Sequence, residues 1–168
     1  MLCLQNKPDF FIEIFRILCE NNNTDTIDKI INYGIDMNTK DEHRFTPFQL
    51  ACQYSPEISK IIINKNVQLD TIDIFGQTPF HVACIYSPEI AKFLIHRNIP
   101  FDTEDEDVYT PFSSACMYSP EIAKEMAKIL IHKKIPFDTT NRFGDKVIDC
   151  CEKNSEIYNI LIKAGAKP

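Results

Sequence analysis

The chain has 168 residues, 44% of them hydrophobic and 25% charged, the balance of a soluble folded domain. A net charge of −6 argues against nucleic acid as a partner, because phosphates require a basic face. Apolar runs such as Ile61-Ile62-Ile63 are too short to span a bilayer, so no membrane partner is expected. The first residues lack the basic start and long apolar stretch of a secretory signal, and the expected location is cytoplasmic, with the nucleus as the other home.

In chain order the first element is a helix over residues 9–19. Phe11, Ile14, Phe15 and Leu18 are expected to form its inner face, with Phe10, Ile12 and Ile17 elsewhere on the circumference. A terminal helix that is apolar on two sides calls for a cover: a partner, a second copy, or further sequence. The phrase Thr-Pro-Phe-x-x-Ala-Cys-x-Tyr-Ser-Pro-Glu-Ile then occurs three times, starting at Thr46, Thr78 and Thr110. A fixed step of 32 residues is the mark of stacked copies of one small unit. In the copy at 73–104, Asp73 to Gln77 reads as a turn with Gly76 at a positive φ. Thr78-Pro79 caps and starts one helix, and Ser87-Pro88 starts a second by the same device. The second helix carries Ile90, Ala91, Phe93, Leu94 and Ile95 as its apolar set and is expected to end at Asn98.

The next copy contains a duplicated tetrapeptide, Glu121-Ile122-Ala123-Lys124 followed by Glu125-Met126-Ala127-Lys128. Four residues are close to one helical turn, so Ile122, Met126 and Leu130 stay on one face of a longer helix that is expected to protrude outward. The final copy has lost Thr-Pro to Lys146-Val147 but keeps Asn141-Arg142-Phe143-Gly144 and a helix at 157–162. Five units result, at about 1–40, 41–72, 73–104, 105–140 and 141–168, forming one domain. Cys52, Cys84 and Cys116 are repeat-equivalent. Neighbouring helices lie about 10 Å apart and a disulfide needs Cα atoms within about 7 Å, so these thiols are expected to be reduced and buried.

The turn–helix–helix unit with its Thr-Pro-Phe-His-Val-Ala-Cys core resembles the ankyrin repeat, whose usual form is T-P-L-H-x-A-A in 33 residues. Nearly the whole chain shares the resemblance. It implies an all-α solenoid of helix–turn–helix units joined by short β-turn or hairpin fingers. Two departures stand out. Tyr-Ser-Pro fills the bend where the family often has Gly-His, one residue shorter. Arg44 and Val108 replace the turn glycine, and a β-branched residue strained at positive φ predicts a different turn shape at Val108.

Reactive groups are sparse. His81 occupies the T-P-x-H position, which in the family hydrogen-bonds within the turn and to the next unit; Gln49, Ser113 and Asp149 are its equivalents. A His81–Cys84 nucleophilic dyad lacks support, because Cys52 and Cys116 have no histidine three residues earlier. His96 and His132 suit helix C-termini, and no metal-ligand spacing is present. The run Glu104 to Asp107 reads as a solvated turn, lacking the spacing and glycine of a calcium loop. No catalytic residue, metal or cofactor is expected.

What remains is a surface. The resemblance implies docking of another protein on the concave side, made by turn tips and first helices. At the tips the candidates are Phe45, Ile74, Phe75, Gln77, Glu106, Asp107, Tyr109 and Phe143. On the first helices they are Ile85, Tyr86, Met117 and Tyr118. Exposed aromatics make good interface anchors. Tyr54, Tyr86 and Tyr118 recur at one repeat position, and that recurrence favours a framework role in closing the bend. The expected function is a non-enzymatic interaction module: scaffold, adaptor or stoichiometric inhibitor. The alternative is a subunit or fragment of a larger assembly that docks, or self-associates, through the apolar N-terminal helix.

Overall fold

A computed structural model describes residues 8–65, 67–97, 99–137 and 139–167. Within these, nine α-helices follow one another: α1 Pro8–Glu20, α2 Thr24–Asn32, α3 Pro47–Tyr54, α4 Pro56–Ile62, α5 Pro79–Tyr86, α6 Pro88–Ile95, α7 Pro111–Tyr118, α8 Pro120–Lys133 and α9 Glu156–Lys163. A 3₁₀ helix, Val147–Cys150, stands in the last unit where a first helix would be. No strand occurs among the described residues; the one ladder contact is an isolated bridge between Thr140 and Lys146. The protein is therefore all-α, and the expected hairpin fingers are turns.

The helices stack in two rows. First helices α1, α3, α5 and α7 pack in sequence, ending on the 3₁₀ helix, while second helices α2, α4, α6, α8 and α9 run beside them. The core lies between the rows and repeats with the units: Phe15, Phe48, Phe80 and Phe112 are all fully buried.

Local chemistry explains each start. Thr46, Thr78 and Thr110 are extended N-caps whose hydroxyls accept from the backbone N–H three residues on, with proline at the first helical position. The residue at that third position answers by accepting from the threonine N–H: Gln49 at 3.1 Å, His81 at 3.1 Å, Ser113 at 2.8 Å. The serine device differs from expectation. Ser55 caps α4 with its hydroxyl, but Ser87 and Ser119 make no such bond. The Ser119 hydroxyl instead donates to the Cys84 carbonyl of the preceding unit, and that of Ser87 is buried without a partner. The expected α6 terminator, Asn98, lies outside the described residues; the helix itself ends at Ile95.

Helix α8 is longer than α6, and Ile122, Met126 and Leu130 are all buried on one face. The inserted turn does not stand clear of the stack. Met126 and Ala127 are fully buried, and Glu125 reaches back to His96 at 3.4 Å. Phe93 is also corrected: it faces solvent, with the Arg97 guanidinium 4.6 Å from its ring centroid.

Helix α1 rearranges the predicted faces. Ile12 joins Phe11, Phe15 and Cys19 in the core, whereas Ile14 and Leu18 are only half-buried. The outward stripe is Phe10, Ile14 and Ile17, at helical spacing. Ile17 aligns with Leu50, Val82 and Ser114, which are buried; Ile17 itself is 45% exposed.

Candidate functional site

Each fingertip is built on one side chain. Asp73 Oδ1 accepts from the N–H groups of Phe75 and Gln77, at 2.9 and 3.0 Å. Asp105 does the same for Asp107 and Tyr109, and Asn141 for Phe143 and Asp145. Asp41 accepts from Phe45 at 2.8 Å. A backbone bond then closes every turn, from Arg44, Gly76, Val108 and Gly144 to the carbonyl three residues earlier. All four of these residues have positive φ, including Arg44 at 63° and Val108 at 64°. The altered turn expected at Val108 is not found. The aspartate network and the neighbouring tips hold the valine left-handed, against a strain of about 1–2 kcal/mol.

The tips also bond to one another. Ile74 N–H donates to the His43 carbonyl, Glu106 N–H to Phe75, and Arg142 N–H to Asp107. Glu42 N–H finds the Asp9 carboxylate instead, at 2.9 Å, a side-chain partner in place of a backbone one. This row fixes where the tip side chains project. Ile74, Phe75, Glu106 and Phe143 face solvent. Phe45, Gln77, Asp107 and Tyr109 are half-buried. Phe45 packs on the core, the Gln77 carbonyl accepts from Gln49 Nε2 at 2.9 Å, and Asp107 pairs with Arg142 at 2.8 Å.

On the first helices Ile85 and Met117 are half-buried. Tyr54, Tyr86 and Tyr118 are 39%, 51% and 58% exposed. A hollow of about 240 Å³ opens beside α1, floored by Ile12, Phe45 and Leu50 and rimmed by Arg16, His43 and Tyr54. Sequence reasoning missed Ile12 and Arg16 as parts of this face. The Glu13–Arg16–Glu20 charge spacing was the available signal, since both carboxylates hold the guanidinium over the hollow.

Reactive chemistry does not gather here. His81 is fully buried, with Nδ1 accepting from Thr78 N–H and Nε2 facing the Tyr109 carbonyl at 3.1 Å. Both ring nitrogens are thus engaged, which defines a neutral imidazole with its proton on Nε2. Burial holds its pKa below the ordinary value. It ties two units together, as Gln49 does by donating to Gln77. Ser113 makes only the local part of this pattern and turns its hydroxyl back to the Thr110 carbonyl. Burial pushes the Cys52 thiol up to about 12 and the Cys84 thiol higher still, so neither resembles an activated nucleophile. Among the described residues no group of three histidine, cysteine or carboxylate side chains is placed to hold a metal ion.

A family model described as ankyrin repeats, in three copies, matches residues 15–105, more than half of the chain. A comparison with curated proteins found no match.

Proposed function

The chain belongs to the ankyrin-repeat family, and we propose that it is a non-enzymatic interaction module that holds a partner protein against its concave face. Ankyrin repeats generally mediate protein–protein interaction. Scaffold, adaptor or stoichiometric inhibitor are the forms this would take. The observation that carries the reading is the solvent-facing apolar set Ile74, Phe75 and Phe143 on a row of tips made rigid by tip-to-tip hydrogen bonds. Large side chains held out on rigid backbone lose little entropy on binding, which is what an interface anchor requires. We take the compartment to be reducing, cytoplasm or nucleus, which suits the buried thiols of Cys52, Cys84 and Cys116.

The test is affinity capture from source lysate with the native chain and with an Ile74→Ser, Phe75→Ser, Phe143→Ser variant. A partner retained by the native chain and lost at least tenfold from the variant is expected. Equal retention by both would remove the tips from the interface.

A second reading concerns the N-terminal end. The outward stripe of α1 includes Ile17 at a position that three other units bury, which supports docking or self-association there. Light scattering on the purified chain tests it, and a clean monomer at high concentration counts against it.

A further inference from the structure

The described cysteines fall into two groups. Cys19, Cys52, Cys84 and Cys116 hold one repeat position on successive first helices, while Cys150 ends the 3₁₀ helix of the last unit and Cys151 follows it. Counting from Asp149, the equivalent of Ser113, Cys151 stands in the place of Ala115 and not of Cys116. Equivalent positions on neighbouring first helices lie about 8–10 Å apart, too far for a disulfide, which needs Cα atoms within about 7 Å. Cys151 escapes that spacing. Helix α7 packs against the 3₁₀ helix, and the Cys116 thiol hydrogen-bonds to the Cys151 sulfur. Among the described residues no other two thiols make such a contact. Cys151 in turn donates to the Val147 carbonyl at 3.6 Å, which holds its sulfur in place beside Cys116. Exposure also sets the pair apart. Cys19, Cys52 and Cys84 are sealed in the core, whereas Cys116 and Cys151 are 3% and 7% exposed.

We propose that Cys116 and Cys151 are a peroxide-oxidisable thiol pair that closes into a reversible disulfide and fastens the last unit to the one before it. Cys151 is the attacking thiol. The hydrogen bond from Cys116 stabilises its thiolate and lowers its pKa, while the same bond, with burial, pushes Cys116 up. Cys150 is a poorer nucleophile, because burial pushes its thiol up to about 11. The Cys151 thiolate attacks one oxygen of hydrogen peroxide and the O–O bond breaks. The departing hydroxide takes the proton that Cys151 released, leaving water and a sulfenic acid on Cys151. The Cys116 sulfur then attacks the Cys151 sulfur. The S–O bond breaks as the S–S bond forms, and the hydroxide leaves as water with the Cys116 proton. In all, two thiols give up two protons and two electrons, and one peroxide becomes two waters. A bridge from Cys151 to Cys150 is disfavoured, since adjacent Cα atoms are about 3.8 Å apart and disulfides take roughly 4.4–6.8 Å. A dithiol restores both thiols by exchange, so in a reducing compartment the bridge is transient. While it lasts it closes a loop through α8 and the last fingertip, which limits opening of the last unit. No part of this chemistry depends on the docking face.

The experiment treats the reduced full chain with near-stoichiometric hydrogen peroxide at neutral pH, alkylates the remaining thiols after unfolding, and maps the peptides by mass spectrometry. A linked Cys116–Cys151 peptide pair is expected, two hydrogens lighter than its separate halves and released by dithiothreitol, with Cys19, Cys52 and Cys84 alkylated. Cys116→Ser should leave a sulfenic acid on Cys151 that dimedone traps. Cys150→Ser should form the bridge at a rate within about twofold of the native chain. Oxidation should raise the urea midpoint of the native chain and leave that of Cys151→Ser where it was. Circular dichroism checks that the variants remain folded, and the map of the native chain decides the matter without them. Cys116 and Cys151 recovered unlinked, Cys150 found as the partner instead, or equal oxidation of Cys19, Cys52 and Cys84 would each overturn the proposal. A bridge that forms without moving the urea midpoint would leave the oxidation site standing and overturn the fastening of the last unit.

Discussion

Leu50 and Ile17 occupy the same place in consecutive units, yet one is buried and the other is nearly half exposed. Leu50 looks across at α1 and helps floor the hollow between them. Ile17 lies on the outward side of α1, where the described residues cover only about half of it. In a stack of like units the side chain sets what can be buried, and the neighbour decides whether it is. The fingertips tell the same story. Internal tips bond to the backbone of the tip before them, while the first borrows the Asp9 carboxylate.

The strongest challenge to this contrast is paired truncation. Leu50→Ala should cost about 2–5 kcal/mol, the usual range for emptying a core leucine site. Ile17→Ala should change stability by no more than about 0.5 kcal/mol if its face is free in solution. Urea unfolding followed by circular dichroism measures both. A large loss at Ile17 would show that the N-terminal stripe is covered, and would favour the self-association reading.

A second pair compares two ways of bridging units. His81→Ala strands the buried Thr78 N–H, removes one of two donors to the Tyr109 carbonyl and should cost about 1–3 kcal/mol. Ser113→Ala removes only a local bond set and should cost less. The histidine adds a pH signature. Its folded pKa lies below the ordinary 6.5, because burial disfavours the cation. The unfolded chain therefore binds the proton more readily, and the stability His81 confers is complete above that value. It declines as pH falls through 6.5 toward the folded pKa. His81→Gln, copying Gln49, should flatten that part of the pH profile. Thermal melts between pH 5 and 8 would show it, and an unchanged slope would place the proton uptake elsewhere.

The smallest contrast lies between two turn glycines. A Cβ on Gly76 would stand 2.9 Å from the Glu106 backbone nitrogen of the next tip, whereas one on Gly144 meets nothing within 4 Å. Both have positive φ. Gly144→Ala should show backbone strain alone, about 1–2 kcal/mol, and Gly76→Ala should exceed it by roughly 1 kcal/mol because the tip-to-tip hydrogen bond must shift. Equal losses in chemical denaturation would mean the row of tips yields easily.

Much of this architecture was legible in the residues. The 32-residue step, the threonine caps with proline behind them, and the lengthened α8 all follow from signals confined to a few neighbouring positions. Helix starts depend on donors and acceptors three or four residues apart, so the chain states them locally. The docking face was less readable. Tip aromatics were marked as one class, but Phe45 and Tyr109 sink against neighbours while Phe75 and Phe143 stay out. The tyrosines recur at one repeat position, yet their exposure differs from unit to unit. Asp73 shows the same limit from the polar side. One carboxylate oxygen anchors its turn, while the other is buried without a partner, and burial raises its pKa.

Residue order alone was enough for the family, the all-α stack and the buried cysteine column, because periodicity and capping are properties of short stretches of chain. Which face of α1 turns inward, that Val108 accepts a left-handed turn, and which aromatics reach solvent were settled only by the assembled units. Those outcomes depend on contacts from residues some thirty positions away, whose side chains and backbone amides fill or leave open the space beside each one.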